Sequence, residues 1–182
     1  DICAYITEHT AFKNNIIAAN EGASIALATG YHLGTGKVPL IYMQNSGLGN
    51  AVNPLTSLAD KKVYSIPMLL MIGWRGEPGV KDEPQHIKQG LITCSLLETL
   101  DIPYLIIDGD SDYKRDVSSA IKIAKEDSVP VAIVIKKDTF TEYTLKESET
   151  VNFQISREDA ILEILDHMQY NDVIVSTTGK TS

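Results

Sequence analysis

Ile16-Ile17-Ala18-Ala19-Asn20-Glu21-Gly22-Ala23-Ser24-Ile25-Ala26-Leu27-Ala28-Thr29-Gly30 is the stretch that decides how this chain is read. An apolar run too short for a helix ends in one carboxylate, and a helix of small, uncharged residues follows. Glu21 is therefore expected where a buried strand passes into a buried helix, a junction at which α/β proteins place ligand chemistry. Apolar surroundings disfavour an ionised carboxylate, so such a group can hold or donate a proton near neutral pH. An acid in the first turn of a helix is also favoured by the helix dipole, which would make Glu21 a cap and nothing more. Placement alone leaves both readings open.

Outward from this junction, strand-like runs alternate with helical segments. The runs Asn15–Asn20, Val38–Gln44, Met68–Ile72, Tyr104–Ile107, Val131–Ile135 and Val173–Ser176 are short, aliphatic on both faces and bounded by Gly, Pro, Asn or Asp. Strands of a parallel sheet covered on both sides have this appearance. Helices are expected over Glu21–Leu33, Asn50–Lys62, Pro84–Leu100, Ser111–Lys125 and Arg157–Tyr170, the last opened by Ser156 as N-cap with Asp159 in its first turn. The pattern predicts an α/β fold: a three-layer, doubly wound, mainly parallel sheet with helices on both faces and ligand sites at the C-terminal strand ends. Residues 139–152 are polar without periodicity and read as a linker. Asp1–Ile6 already has the pattern of a mid-helix, and the other end stops in a Gly-rich turn, so both ends read as cut from something longer.

Composition narrows the function classes. The 182 residues suit one domain with a small extension, and 43% hydrophobic content is that of a soluble core. A net charge of -8 argues against nucleic acid, which requires clustered Lys and Arg. Cys3 and Cys94 lie in no metal or redox spacing and read as buried thiols of a reducing cytosol. No signal peptide or bilayer-spanning run is present in the sequence, so a cytoplasmic location and no membrane partner are expected.

Three segments on the expected ligand edge hold the unusual chemistry. Glu21 is the first. The second is Asn45-Ser46-Gly47-Leu48-Gly49-Asn50, where two glycines open a helix and let backbone amides approach a ligand. It lacks the third glycine of a dinucleotide fingerprint, and a tight strand-to-helix turn explains it equally well. The third is the long loop from Gly73 to His86. There Trp74 and Arg75 offer an aromatic face and a planar cation suited to carboxylate, phosphonate or sulfonate oxygens, on a segment expected to be mobile. Lys81 and His86 could add charge or proton transfer. The Gly179-Lys180-Thr181-Ser182 ending is not a phosphate loop, because that motif needs glycine at position 174, which is Ile174.

In order, Asn20-Glu21-Gly22-Ala23, Ala28-Thr29-Gly30-Tyr31, Thr35-Gly36-Lys37-Val38-Pro39-Leu40 and Ser46-Gly47-Leu48-Gly49-Asn50 resemble the pyrimidine-binding domain of thiamine-diphosphate enzymes. Leu48 stands where that turn usually has proline. Within the superfamily, Trp74-Arg75-Gly76-Glu77 and Asp82-Glu83-Pro84-Gln85-His86 are similar to the group of phosphonopyruvate and sulfopyruvate decarboxylases. The resemblance covers nearly the whole chain. It implies a carboxy-lyase that converts 3-phosphonopyruvate to phosphonoacetaldehyde and carbon dioxide in phosphonate biosynthesis. A sulfopyruvate decarboxylase subunit and a non-catalytic α/β domain are the alternatives.

The resemblance also implies roles. Glu21 would bond the aminopyrimidine ring nitrogen and favour the imino tautomer that deprotonates the thiazolium carbon, which makes it catalytic as well as cofactor-binding. Asn45 and Leu48 would pack on the pyrimidine, with Leu48 supporting the bent cofactor. Gln85 and Arg75 would meet the substrate, Arg75 at its anionic tail, and His86 would handle or orient a proton. The implied domains are residues 1–140 as a pyrimidine-binding domain lacking its first strand, 141–155 as linker, and 156–182 as the truncated start of a diphosphate-binding domain. The Gly-Asp-Gly motif for Mg2+ and diphosphate is absent here (Asp108-Gly109-Asp110 reverses the order), so no metal ligands are named and that site is expected in the second domain. The superfamily's active site joins domains of two subunits. A homo-oligomer, at least a dimer, is thus implied, with this stretch inactive on its own.

Overall fold

Four parallel strands centre the computed structural model, which describes residues 2–145 and 154–174, the side chain of Phe12 excepted. They are β1 (Leu40–Gln44), β2 (Met68–Gly73), β3 (Tyr104–Ile107) and β4 (Pro130–Ile135), in the order β1-β2-β4-β3. The helices are α1 (Ile2–His9), α2 (Glu21–Thr35), α3 (Leu48–Pro54), α4 (Pro84–Thr99), α5 (Tyr113–Asp127) and α6 (Arg157–Asp166). Two compact units divide the chain at residues 1–144 and 145–182; the sheet and α1 to α5 belong to the first, α6 to the second.

Burial follows from strand position. Every residue of β4 is buried and β2 nearly so, whereas β1 alternates, with Ile41 and Met43 inside and Leu40, Tyr42 and Gln44 outside. An edge strand with one covered face has this pattern, and a central parallel strand the continuous one. On one face, Ile41, Met43, Leu70, Ile72 and Val134 pack with Ile25 and Ala28 of α2, Leu48 and Ala51 of α3, and Leu97 of α4. On the other, Leu69, Ile133 and Ile135 pack with Ala120 and Ala124 of α5. The three-layer α/β fold read from the sequence is the one observed. Chain direction across the sheet explains the layering. From β1 through β2 to β3 the chain steps one way, with α3 and α4 on the first face. From β3 back to β4 it reverses, so one-handed crossovers require α5 on the second face.

Helix ends follow the capping chemistry of the sequence. Ser156 caps α6 as expected, accepting the Asp159 N–H at 3.0 Å, whereas the cap of α2 is Asn20, which accepts the Ala23 N–H at 2.8 Å, and not Glu21. The second helix departs from expectation: α3 starts at Leu48, and beyond Pro54 the backbone widens into a π-turn over Leu55–Ala59. Proline has no N–H to continue the α ladder, which accounts for the change of pitch.

Four further expectations are corrected. Asn15–Asn20 is not a strand: β1 pairs with β2 alone among the described residues, and Ile16 and Ile17 are 67% and 93% exposed. Apolar content makes a strand only where a partner's backbone groups are in reach. α2 is also not buried all round, since Ile25, Ala28 and Thr29 face the core while Leu27, Tyr31 and Leu33 face out. Of the two thiols, Cys3 is exposed and Cys94 half-buried. In the expected last strand, Val173 and Ile174 are exposed and in no strand, and Val175 and Ser176 lie outside the described residues, as does the Gly-rich ending. No helix among the described residues is long and apolar enough to cross a membrane.

Candidate functional site

Register levels one end of the sheet. Gln44 pairs with Gly73, Gly73 with Ile135, and Ile107 with Ile135, so the residues that follow (Asn45, Trp74, Lys136 and Asp108) share one edge. The Trp74 N–H donates to the Ile135 carbonyl at 2.9 Å and carries the ladder one residue beyond β2.

Glu21 reaches this edge from the first turn of α2. Its side chain lies directly over Gly47, where an added Cβ would overlap its Cγ, Cδ and Oε1 atoms. Gly47 has ordinary right-handed backbone angles, so space for Glu21 is what requires glycine there. Glu21 Oε2 accepts a hydrogen bond from Asn50 Nδ2 at 3.3 Å. The carboxylate is half-buried, open to solvent on one side and oriented by an amide on the other. The two-glycine turn thus serves Glu21 at Gly47, while Gly49 faces open space.

Asn45 is 1% exposed, and its amide is engaged within the protein. Its Oδ1 accepts the Arg75 N–H at 3.0 Å, and its Nδ2 donates to the Arg75 carbonyl at 2.8 Å and to Thr93 Oγ1 at 2.9 Å. Thr93 in turn donates to the Gln89 carbonyl at 2.6 Å. One side chain therefore ties the end of β1 to the loop after β2 and to α4. Removing it leaves buried backbone groups unpaired, each costing ~1–3 kcal/mol. Asn45→Ala is expected to lower unfolding free energy by about 2–3 kcal/mol at unchanged denaturant slope. An unshifted urea midpoint would show that the network does not hold the loop.

The loop expected to be mobile is tethered along its length. Trp74 packs against the core and donates from Nε1 to the Gly90 carbonyl at 3.0 Å. Gly76, at φ +66°, sits on the first turns of α4 so closely that a Cβ there would overlap the His86 carbonyl, and one on Gly90 would overlap Gly76. Glu77 pairs with Lys136 at 3.1 Å beyond β4. Asp82 organises the rest. Its carboxylate accepts from Arg75 Nε at 2.8 Å, Arg75 Nη2 at 2.5 Å, the Gly76 N–H at 2.7 Å and the Glu83 N–H at 2.8 Å. The Arg75 contact, then the two backbone donors, hold its pKa well below the usual carboxylate range.

The remaining candidates divide. Leu48, the first residue of α3, is 1% exposed within the core, so its side chain supports the turn from beneath. Gln85 is exposed in the first turn of α4, and Lys81 is exposed on the loop. His86 is half-buried, and its Nδ1 is buried with no hydrogen-bond partner among the described residues. Two concavities, of about 220 and 360 Å3, lie toward the opposite ends of the strands, lined by residues such as Ile102 and Pro130 or Val38 and Leu69. Among the described residues no trio of His, Cys, Asp or Glu is grouped to hold a metal ion.

Sequence reading missed Asn50, Asp82 and Thr93. Asn50 follows Gly49 in the motif that drew attention, but its pairing with Glu21 spans 29 positions and leaves no local signal. Asp82 stands in the sequence only as a member of the Asp82-Glu83-Pro84-Gln85-His86 motif, with no role assigned to it.

Residues 1–95 match the family model described as thiamine pyrophosphate enzyme, N-terminal TPP binding domain. Over 205 aligned residues the chain is 31% identical to a phosphonopyruvate decarboxylase of Streptomyces viridochromogenes, covering 99% of this chain and 50% of that protein. A second phosphonopyruvate decarboxylase, of Streptomyces hygroscopicus, is 31% identical with the same coverage. The chain thus spans about half the length of these relatives. A sulfopyruvate decarboxylase subunit alpha of Methanococcus maripaludis is 38% identical over 121 residues, 66% of this chain and 70% of that subunit.

Proposed function

The chain belongs to the thiamine pyrophosphate enzymes, as their N-terminal TPP-binding domain, and from that premise we propose that it serves a decarboxylase converting 3-phosphonopyruvate to phosphonoacetaldehyde and carbon dioxide. The observation that carries the reading is the Glu21 carboxylate, seated over Gly47, oriented by Asn50 and open on one side. That cradle fits a flat heteroaromatic ring offering a nitrogen to the carboxylate. When bound, thiamine diphosphate supplies the electron sink for loss of carbon dioxide from a 2-oxo acid.

The chain's own residues then have distinct tasks. Glu21 bonds the ring nitrogen of the aminopyrimidine and shares a proton with it. Asn50 fixes the rotamer of Glu21. Asn45 and Leu48 act through the turn, Asn45 by fixing the Arg75 backbone and Leu48 by filling the core beneath. Gln85 and the proton-handling His86 face the substrate from the start of α4, and Arg75 meets its anionic tail. Mg2+ and the diphosphate are assigned to a separate diphosphate-binding domain, in an assembly of at least two chains in the cytoplasm.

The test uses the complete enzyme carrying this chain, with thiamine diphosphate and Mg2+, and follows carbon dioxide release from phosphonopyruvate and sulfopyruvate side by side. A higher kcat/KM for phosphonopyruvate is expected. Preference for sulfopyruvate would keep the chemistry and move the assignment to the second reading, which the similarity to the Methanococcus maripaludis subunit favours. Turnover of neither would overturn both.

A further inference from the structure

We propose that Asp82 is a positioning residue that aims Arg75 at the anionic tail of the substrate, an inference that rests on the role given to Arg75 above. A guanidinium has five N–H donors arranged on two edges, one formed by Nε and a single Nη, the other by the two Nη groups. Asp82 occupies the first edge with both carboxylate oxygens, at 2.8 Å from Nε and 2.5 Å from Nη2. The second edge, made of one N–H from each Nη group, has no partner among the described residues, and the Arg75 side chain is 40% exposed while that of Asp82 is 15% exposed. The pair therefore presents a two-pronged, outward-facing donor edge whose plane is set by Asp82.

The orientation is fixed at both ends of the arginine. Asn45 clamps the Arg75 backbone N–H and carbonyl, and Asp82 clamps the head, while Asp82 is itself held by the Gly76 and Glu83 N–H groups. A long side chain so fixed gives up little rotamer freedom when an anion docks, so the tail meets a preorganised donor pair. Phosphonate and sulfonate both present oxygens spaced for such an edge. Asp82 also offsets the arginine charge, so recognition rests on directed hydrogen bonds more than on net attraction. Asp82 touches no reacting atom in this arrangement, so its loss is expected to appear in binding of the tail and not in the chemical step.

The test is Asp82→Asn in the complete enzyme, alone and combined with Arg75→Ala. The single variant is expected to raise KM for phosphonopyruvate about tenfold with kcat within twofold, while kcat/KM for pyruvate, which has no anionic tail, stays unchanged. In the Arg75→Ala background Asp82→Asn is expected to add nothing further. Trp74 adjoins Arg75, so its emission is expected to report binding once any tryptophan elsewhere in the complete enzyme is replaced by phenylalanine. Titration with phosphonoacetate should shift its emission saturably, and about tenfold more weakly in Asp82→Asn. Equal losses on pyruvate, an added loss without Arg75, or an unchanged phosphonoacetate affinity would overturn the proposal. If the unaltered enzyme turns over neither oxo acid, the decarboxylase reading fails separately, and the phosphonoacetate titration still decides the role of Asp82.

Discussion

Replacing Glu21 with Gln is expected to reduce decarboxylation at least a thousandfold while leaving the fold intact. Glutamine keeps the length and volume that rest on Gly47, and its amide oxygen can still accept from Asn50, so nothing in the packing is disturbed. What it lacks is an oxygen that can hold and return a proton. Positioned acid–base groups contribute ~10²–10⁴-fold to rate. The upper part of that range is taken because Glu21 is the carboxylate that lies over Gly47, with each of the three nearest atoms to an added Cβ belonging to it. Carbon dioxide release from phosphonopyruvate measures the loss, and an unchanged thermal midpoint shows that the protein is still folded. Turnover within tenfold of the unaltered enzyme would remove Glu21 from the chemistry and leave it as a first-turn acid favoured by the helix dipole.

The sequence made the sheet legible wherever strands are buried on two faces. Met68–Gly73 and Pro130–Ile135 appear as aliphatic runs because almost all of their residues are out of solvent, whereas Tyr104–Ile107 reads the same way although it is an edge strand in which only Ile107 is buried. The same logic failed at Asn15–Asn20, since two isoleucines in a row satisfy the pattern of a buried strand without having a partner. The site was legible as an edge and as a carboxylate, because Glu21 and the glycine-bearing turn are local features. Its internal wiring was not. Asn45 read as a ligand contact, yet its amide pairs with Arg75 and Thr93, 30 and 48 positions away. Arg75 read as an exposed cation, and the fork of Asp82 on its Nε edge shows only in three dimensions. Side-chain amides and guanidinium groups have several donors each, and sequence does not reveal which of them the fold has already engaged.

Gly47→Ala separates the position of Glu21 from its identity and is expected to lower turnover about a hundredfold at nearly constant stability. At φ -82° and ψ -13° the backbone of Gly47 is one that alanine adopts without strain, and loss of glycine flexibility in the unfolded chain is mildly stabilising. The added methyl would occupy the volume of the Glu21 carboxyl group and its Cγ. Relief is available because the obstacle is the far end of a flexible, half-buried side chain, which can rotate toward solvent at a cost of roughly 1 kcal/mol. Gly90 shows the contrasting case, where an added Cβ would meet the backbone of Gly76, which cannot swing aside. The consequence at Gly47 is therefore displacement and not unfolding, and a misplacement on the order of 1 Å costs about a hundredfold in rate. Combined with Glu21→Gln the change should add almost nothing, because both remove the same carboxylate from the same place. A full additional hundredfold in the double variant would mean that Gly47 acts on turnover by a route other than Glu21, and the cradle would lose its meaning.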